Sequence, residues 1–363
     1  MSLNSRAIKL LGLVNIQGRL VRFRMNTQTL DTTKLGPYLA THLDDFNENI
    51  TVEKFPGGQS NPTFKLTCGD QQVVLRRKPP GELLPSAHAV DREFRVIKAL
   101  GKTDIPVAKA HLLCEDENII GSAFYIMEYL DGRVFWDPAL SEVGSNAERS
   151  AIYDDMNRVL AALHSVNIDA VGLSDFGRPG NYFERQINRW TKQYRASETE
   201  HSEAMETLIQ WLPINIPEDD GSIGLVHGDY RLDNIMFHPT KPKIIGLLDW
   251  ELSTLGHPLA DLSYQVMAWQ LPQDGGLRGL LNVDRKALEI PTDDAYVAKY
   301  CERTGRETIE NWNFYLVFCF FRLAAILQGV KKRALIGTAS SAEAESRGAL
   351  VEPLAAYGVS FID

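Results

Sequence analysis

The chain has 363 residues, 44% of them apolar and 23% charged, with a formal net charge of −9. That length implies about two domains' worth of core, and the composition excludes a fibrous or low-complexity chain. The acidic balance disfavours nucleic acid as a partner. The longest unbroken apolar run, Phe314 to Phe321, has eight residues. A membrane span needs about 18, so no membrane partner is expected. Cys68, Cys114, Cys301 and Cys319 lie far apart, and the eight histidines include no H-x-x-x-H pair. No disulfide framework or zinc site is therefore expected, and a cytoplasmic location is.

Residues 1–34 read as a basic, flexible leader. Arg6, Lys9, Arg19, Arg22 and Arg24 stand there without an acidic residue before Asp31, which leaves −14 for the other 333 positions from residue 31 onward. A targeting segment or a start at Met25 are the alternatives. Residues 35–130 form a strand-rich region with one strong helix. Strands are expected at Ile50–Phe55, Thr63–Cys68 and Gln71–Arg77, the last two joined at Gly69-Asp70. Pro56-Gly57-Gly58-Gln59-Ser60-Asn61-Pro62 is a turn cluster. Ser86 is the expected N-cap of a helix whose Val90, Phe94 and Ile97 share one face and which Gly101 stops. Two further strands follow, Lys109–Cys114 and Ala123–Tyr129. Asp131-Gly132 is the expected boundary, and residues 131–363 read as mainly helical. A small sheet lobe before a larger helical lobe places a site in the cleft between them.

The chemistry concentrates in Leu225 to Phe237 and Ile244 to Glu251. Apolar strand residues bracket His227-Gly228-Asp229-Tyr230-Arg231-Leu232-Asp233-Asn234, and Asp249 ends the next strand. Asp229 and Asn234 stand five apart, the H-x-D-x-x-x-x-N spacing of a phosphotransferase catalytic loop. A carboxylate suits acceptance of a hydroxyl proton, which assigns Asp229. Asn234 and Asp249 supply hard oxygens for magnesium. His227 is expected to orient the loop. The bland alternative makes all three ordinary turn and capping residues.

With these motifs in order the sequence resembles the aminoglycoside phosphotransferase and choline kinase branch of the protein-kinase-like fold. It is most similar to the kinase-like domains found alone in bacteria or fused to acyl-CoA dehydrogenases in animals. The resemblance is carried by Gly58-Gln59-Ser60-Asn61-Pro62-Thr63, Leu75-Arg76-Arg77-Lys78-Pro79-Pro80-Gly81, Asp91-Arg92-Glu93-Phe94, Phe176 to Tyr182, the catalytic loop, Leu248-Asp249-Trp250-Glu251 and Gly256 to Leu262. It implies a bilobal α+β fold, with an antiparallel-sheet N-lobe and a mainly helical C-lobe. It also implies a kinase that uses ATP and Mg2+ on a small-molecule hydroxyl. Gly57, Gly58, Gln59, Ser60 and Asn61 would cover the phosphates. Arg76 would stand where kinases usually place a lysine, held by Glu93, and Met127, Glu128 and Tyr129 would form the hinge beside adenine. Asp261 would brace the catalytic loop. The departures are Gly-Gly-Gln-Ser-Asn in place of G-x-G-x-x-G, Arg for Lys at position 76, and Trp250-Glu251 with no A-P-E. These speak against a protein substrate. Lys78 lies on the face of Arg76 and competes with it for the assignment.

Phe176 to Arg195 carries a local +4, from Arg178, Arg185, Arg189, Lys192 and Arg195 against Glu184. Arg185, Arg189 and Lys192 share one helix face, and Ile187, Trp190 and Tyr194 another. One reading is a solvated basic face. The other is a wall that recruits an anionic acceptor, such as a hydroxy acid or hydroxyacyl-CoA, and repels aminoglycosides. Arg178, Arg185, Arg189 and Glu251 are the candidate acceptor contacts. A silent nucleotide-binding module and a metal-assisted phosphohydrolase are the alternative functions.

Overall fold

Alternation of apolar residues at period two builds the smaller lobe. A computed structural model describes residues 13–16, 19–22, 30–55, 61–79, 89–273, 278–337 and 344–362. A short antiparallel hairpin, β1 (Leu13–Ile16) and β2 (Arg19–Arg22), comes first. The main sheet contains β3 (Thr51–Lys54), β4 (Thr63–Cys68), β5 (Gln71–Arg77), β6 (Ala110–Cys114) and β7 (Phe124–Glu128). Its order is β3-β4-β5-β7-β6, antiparallel throughout. Along β4, Phe64, Leu66 and Cys68 are buried while Thr63, Lys65 and Thr67 are half-buried. Phe64, Leu66, Leu75, Phe124 and Ile126 make one apolar cluster with Leu35 and Leu39. Tyr125 joins a different cluster, with Val90, Phe94 and Ile97, which runs on unbroken into the helical lobe.

Leu35 and Leu39 belong to a helix, Thr32–His42, that the sequence reading lacks. Gly36-Pro37 inside it reads locally as a break. Tertiary packing overrides that signal, because a Cβ on Gly36 would lie 2.3 Å from the Glu48 carbonyl oxygen. Ser86 and the turn residues Gly57, Gly58, Gln59 and Ser60, expected to cover the phosphates, lie outside the described residues. The helix expected with Ser86 as its N-cap instead spans Val90–Leu100 with Ala89 at its N-cap and no side-chain cap, and Gly101 follows it.

The larger lobe is helical, with helices Asn146–His164, Tyr182–Ser197, Glu203–Ile214, Leu259–Trp269, Asp293–Thr304, Trp312–Leu335, Ala344–Gly348 and Val351–Val359. Small strands punctuate it: β8 (Arg133–Val134), β9 (Gly224–Val226), β10 (Ile235–Phe237), β11 (Ile244–Leu247) and β12 (Thr254–Gly256). β8, β10 and β11 form one ribbon, and β9 pairs with β12 in another. Trp312–Leu335 is the axis of the lobe, packed against the helices at 182–197, 259–269 and 351–359. Its most apolar 18-residue window has a mean hydropathy of 1.6 and is 67% buried inside the protein. The length and apolarity that would suit a bilayer are here used for the core. All four cysteines are buried and unbonded.

Leu75 is fully buried in β5, next to Arg76 in sequence. Leu75→Ala is expected to destabilise the fold by about 2–5 kcal/mol, through lost burial and the cavity left behind. Urea unfolding of the variant beside the parent chain measures it.

Candidate active site

Two strand ends and a helical turn assemble the catalytic loop. β9 delivers His227, Gly228 and Asp229, a single turn of helix at Leu232–Asn234 delivers Asn234, and β11 ends one residue before Leu248-Asp249. β10 and β11 pair with Ile235 opposite Leu247, and the Leu248 amide donates to the Asn234 carbonyl at 2.9 Å. That register places Asn234 beside the strand end that carries Asp249. Asn234 Nδ2 donates to the Asp229 carbonyl at 2.9 Å and to its carboxylate Oδ2 at 2.8 Å. The other carboxylate oxygen lies 4.0 Å from Arg231 Nε, with the side chain 28% exposed. Asp229 is therefore oriented from one side and open on the other.

His227 does not face the opening. Its Nε2 lies 2.9 Å from the Leu248 carbonyl, which requires the proton on Nε2, and its Nδ1 accepts from the Asp229 amide at 3.3 Å. Both ring nitrogens are thus engaged in shaping the loop. Asp261, fully buried, accepts from the amides of His227 at 2.6 Å and Gly228 at 2.8 Å, with His164 Nε2 at 3.3 Å. Burial pushes the Asp261 carboxyl up, but the His164 contact, the neighbouring histidines and the Gly228 amide outweigh it and hold the group below its ordinary value. Gly228 has φ +85°, and a Cβ there would meet the Leu252 carbonyl oxygen at 2.6 Å. Only glycine fits between the two strand ends.

The small lobe contributes Arg76. Its Nη2 donates to Asp249 Oδ1 at 2.6 Å. Its Nε lies 2.8 Å from Glu93 Oε2, a close charge contact too poorly aligned to be a hydrogen bond. Of the two basic residues on this strand face, Arg76 is the one that meets both acids among the described residues. Glu93 also accepts from Asn61 Nδ2 at 2.6 Å and from the Tyr125 hydroxyl at 3.1 Å. The helix that carries Glu93 is fastened to the large lobe. Arg92 donates to the Phe176 carbonyl at 2.7 Å and lies over the Phe176 ring, and Arg95 pairs with Asp175. An amide oxygen on Asn234 and a carboxylate on Asp249 form a hard-oxygen donor set, which fits magnesium held jointly with phosphate oxygens.

The other expected residues fall as follows. Met127 pairs opposite Val74 of β5. Tyr129 stacks on Phe55, with ring centroids 6.5 Å apart and 14° between planes, under Lys65 Nζ. The Glu128 carboxylate turns to the Lys109 amide at 3.1 Å and so serves the sheet. Glu251 lies near enough to act by charge on Arg76 and Glu93. In the basic segment Ile187, Trp190 and Tyr194 are buried, while Arg189 and Lys192 are exposed without an ion pair among the described residues. Arg185 folds back onto the carbonyls of Arg178 at 2.7 Å and Pro179 at 3.4 Å. Arg195 pairs with Glu206. The sequence reading missed Arg322, which donates to the Gly228 carbonyl at 2.5 Å. Its signal was present as a lone charge directly after the eight-residue apolar run.

A bilobal fold with this carboxylate, amide and guanidinium set defines a small-molecule kinase that acts on a hydroxyl acceptor. The profile of the phosphotransferase enzyme family matches residues 51–305, and the chain belongs to that family. It is 51% identical over 309 residues to mouse acyl-CoA dehydrogenase family member 10, covering 85% of this chain and 29% of that protein. It is 42% identical over 334 residues to human acyl-CoA dehydrogenase family member 11, covering 91% of this chain and 43% of that protein. The chain thus spans less than half the length of these curated relatives. A Ralstonia eutropha crystal structure with a provisional aminoglycoside phosphotransferase name is 51% identical, with a TM-score of 0.84 over 92% of this chain and 98% of that one. Cryptosporidium parvum choline kinase shares the fold at 10% identity, with a TM-score of 0.60 over 91% of this chain and 95% of that one.

Burial pushes the Glu93 carboxyl up to about 7, against the pull of Arg76 and with the charges of Asp249 and Glu251 adding to the rise. Between the ordinary 4.5 and about 7 the folded chain therefore holds a proton that the unfolded chain has lost. Stability attributable to Glu93 falls as pH rises through that window. Relative to Glu93→Gln, the parent chain should lose on the order of 2 kcal/mol from pH 4.5 to 7.5. Urea unfolding at stepped pH checks it, and parallel curves would remove the assignment.

Proposed function

We propose that the chain transfers the γ-phosphoryl group of ATP, with magnesium, to a hydroxyl of a small anionic molecule such as a hydroxy acid or a hydroxyacyl-CoA. The observation that carries the reading is Asp229, partly exposed, with one oxygen held by Asn234 and the other only at 4.0 Å from Arg231, within a site closed by the Arg76–Asp249 contact. Asp229 accepts the proton of the attacking hydroxyl. Arg76 offers its guanidinium to the donor phosphates. Asn234 and Asp249 hold the metal, which when bound neutralises phosphate charge. Proton acceptance and positioning suffice because phosphoryl transfer asks little covalent work of the protein.

The sign of the acceptor is supported by charge. Arg189 and Lys192 stand exposed on the Tyr182–Ser197 helix with no ion pair among the described residues. Trp190 of that helix is 5.9 Å from the Arg322 guanidinium, which bonds to Gly228. The helix packs its apolar face toward the catalytic loop through Trp190, and its exposed basic face attracts anions and repels aminoglycosides. Relatives named acyl-CoA dehydrogenases add support for a thioester of coenzyme A.

The test is ADP release from MgATP across hydroxyacyl-CoAs, free hydroxy acids and aminoglycosides. Acceptor-dependent release is expected with the anionic classes, and release with aminoglycosides alone would overturn the acceptor reading. Asp229→Asn should reduce turnover by about 10³-fold while AMP-PNP affinity stays within about twofold. Comparable turnover in that variant would remove Asp229 as the base. Arg189→Glu combined with Lys192→Glu should raise the KM for the anionic acceptor by about tenfold and leave the KM for ATP in place. Steady-state kinetics with each substrate varied in turn reads both.

A further inference from the structure

Gly228 is gripped from both sides. Its N–H donates to Asp261, from the Leu259–Trp269 helix, and its carbonyl accepts from Arg322, from the Trp312–Leu335 helix. The acid belongs to the loop brace already described. The base is unexplained by packing. Arg322 is 5% exposed in a long, largely apolar and buried helix, makes no ion pair among the described residues, and leaves Nη1 buried without a hydrogen-bond partner. Its surroundings are the rings of Tyr264, 5.3 Å away, and Trp190, 5.9 Å away. Burial works against the charge, while the Tyr182 and Tyr264 phenols, the Cys319 thiol and Asp229 favour it. Those neighbours outweigh burial, yet the unbonded buried Nη1 is a desolvation cost that an apolar side chain of equal size would not bear.

We propose that Arg322 is a positioning residue for phosphoryl transfer. It fixes the Gly228–Asp229 peptide, and with it the direction of the Asp229 carboxylate, from behind the loop. The geometry makes this specific. Gly228 sits at φ +85° between Leu252 on one side and the guanidinium on the other, so the peptide after it has one setting that satisfies Arg322. That setting also places the Asp229 amide on His227 Nδ1 and the Asp229 carboxylate on Asn234. Asp261 holds the amide side of the same residue and cannot set the carbonyl side. Arg322 touches no reacting atom and acts through Gly228.

The consequence for turnover rests on the phosphotransfer reading, whereas the consequence for the loop does not. In Arg322→Met, deuterium exchange in residues 226–234 should accelerate by about tenfold, while the 312–335 helix keeps its protection. AMP-PNP affinity should stay within about twofold, and ADP release from MgATP with water as acceptor should fall by about a hundredfold. Arg322→Lys, which keeps the charge and one donor, should restore part of both. If Arg322→Met does not fold, Arg322→Lys decides, with faster loop exchange and slower turnover at unchanged AMP-PNP affinity expected. Parental loop exchange in these variants overturns the proposal. So does acceleration spread equally over helix and loop with loss of AMP-PNP binding, the mark of a merely structural residue. A parent chain that binds AMP-PNP yet releases no ADP counts against phosphotransfer itself, while loop exchange still decides Arg322.

Discussion

One guanidinium joins the two halves of the site. Arg76 stands on β5 of the small lobe, touches Glu93 on the adjoining helix and donates to Asp249 at the end of a large-lobe strand. Each acid is placed by a different element, so Arg76 meets both only when sheet, helix and ribbon are all in position. Arg92 and Arg95 hold that helix against the large lobe at a second line of contact. Arginine suits the place because its planar fork can serve two carboxylates at once, where a lysine ammonium would act as one compact charge. The burial that strengthens these contacts also makes a lone charge costly. That is why Glu93 sits in a cage of donors from Asn61 and Tyr125.

The catalytic loop follows the same logic on a smaller scale. Its reactive carboxylate is not fixed by the loop's own sequence. Asn234 orients one oxygen, His227 spends both ring nitrogens on the backbone, and Asp261 gathers two successive amides from below. Helices from distant parts of the chain thus set the direction of a short turn. This division leaves Asp229 partly exposed while its surroundings are rigid, the arrangement expected of a group that must receive a proton from a bound hydroxyl.

Family membership establishes the class of chemistry and leaves the acceptor to the site. Acyl-CoA dehydrogenase family members 10 and 11 are two to three times the length of this chain, so their whole-protein activities do not transfer to it. The charge distribution is a property of this chain alone. Within an acidic body, the exposed Arg189 and Lys192 make no ion pair among the described residues, whereas Arg185 is engaged by its own loop carbonyls.

Local rules sufficed for much of this protein. Strands 63–68 and 71–77, the helix at 90–100 and the spacing of Asp229, Asn234 and Asp249 follow from alternation, punctuation and residue chemistry within short windows. The rest required distance in sequence to become nearness in space. The Thr32–His42 helix is hidden by Gly36-Pro37 and exists because Leu35 and Leu39 complete a core built from the sheet. Arg76 and Lys78 share one strand face, and Arg76 is the one that meets Glu93 and Asp249, 17 and 173 positions away. Arg185 and Arg189 share a helix face and differ in use, because a carbonyl-lined loop lies beside one of them. Arg322 reads from the sequence as an oddity in an apolar helix, and only the packing of that helix against the catalytic loop gives its charge a partner in Gly228. The sequence by itself determined which groups could do the chemistry, since residue type and local period are written there. The tertiary structure decided which of them meet, since buried charges choose their partners by burial and geometry together.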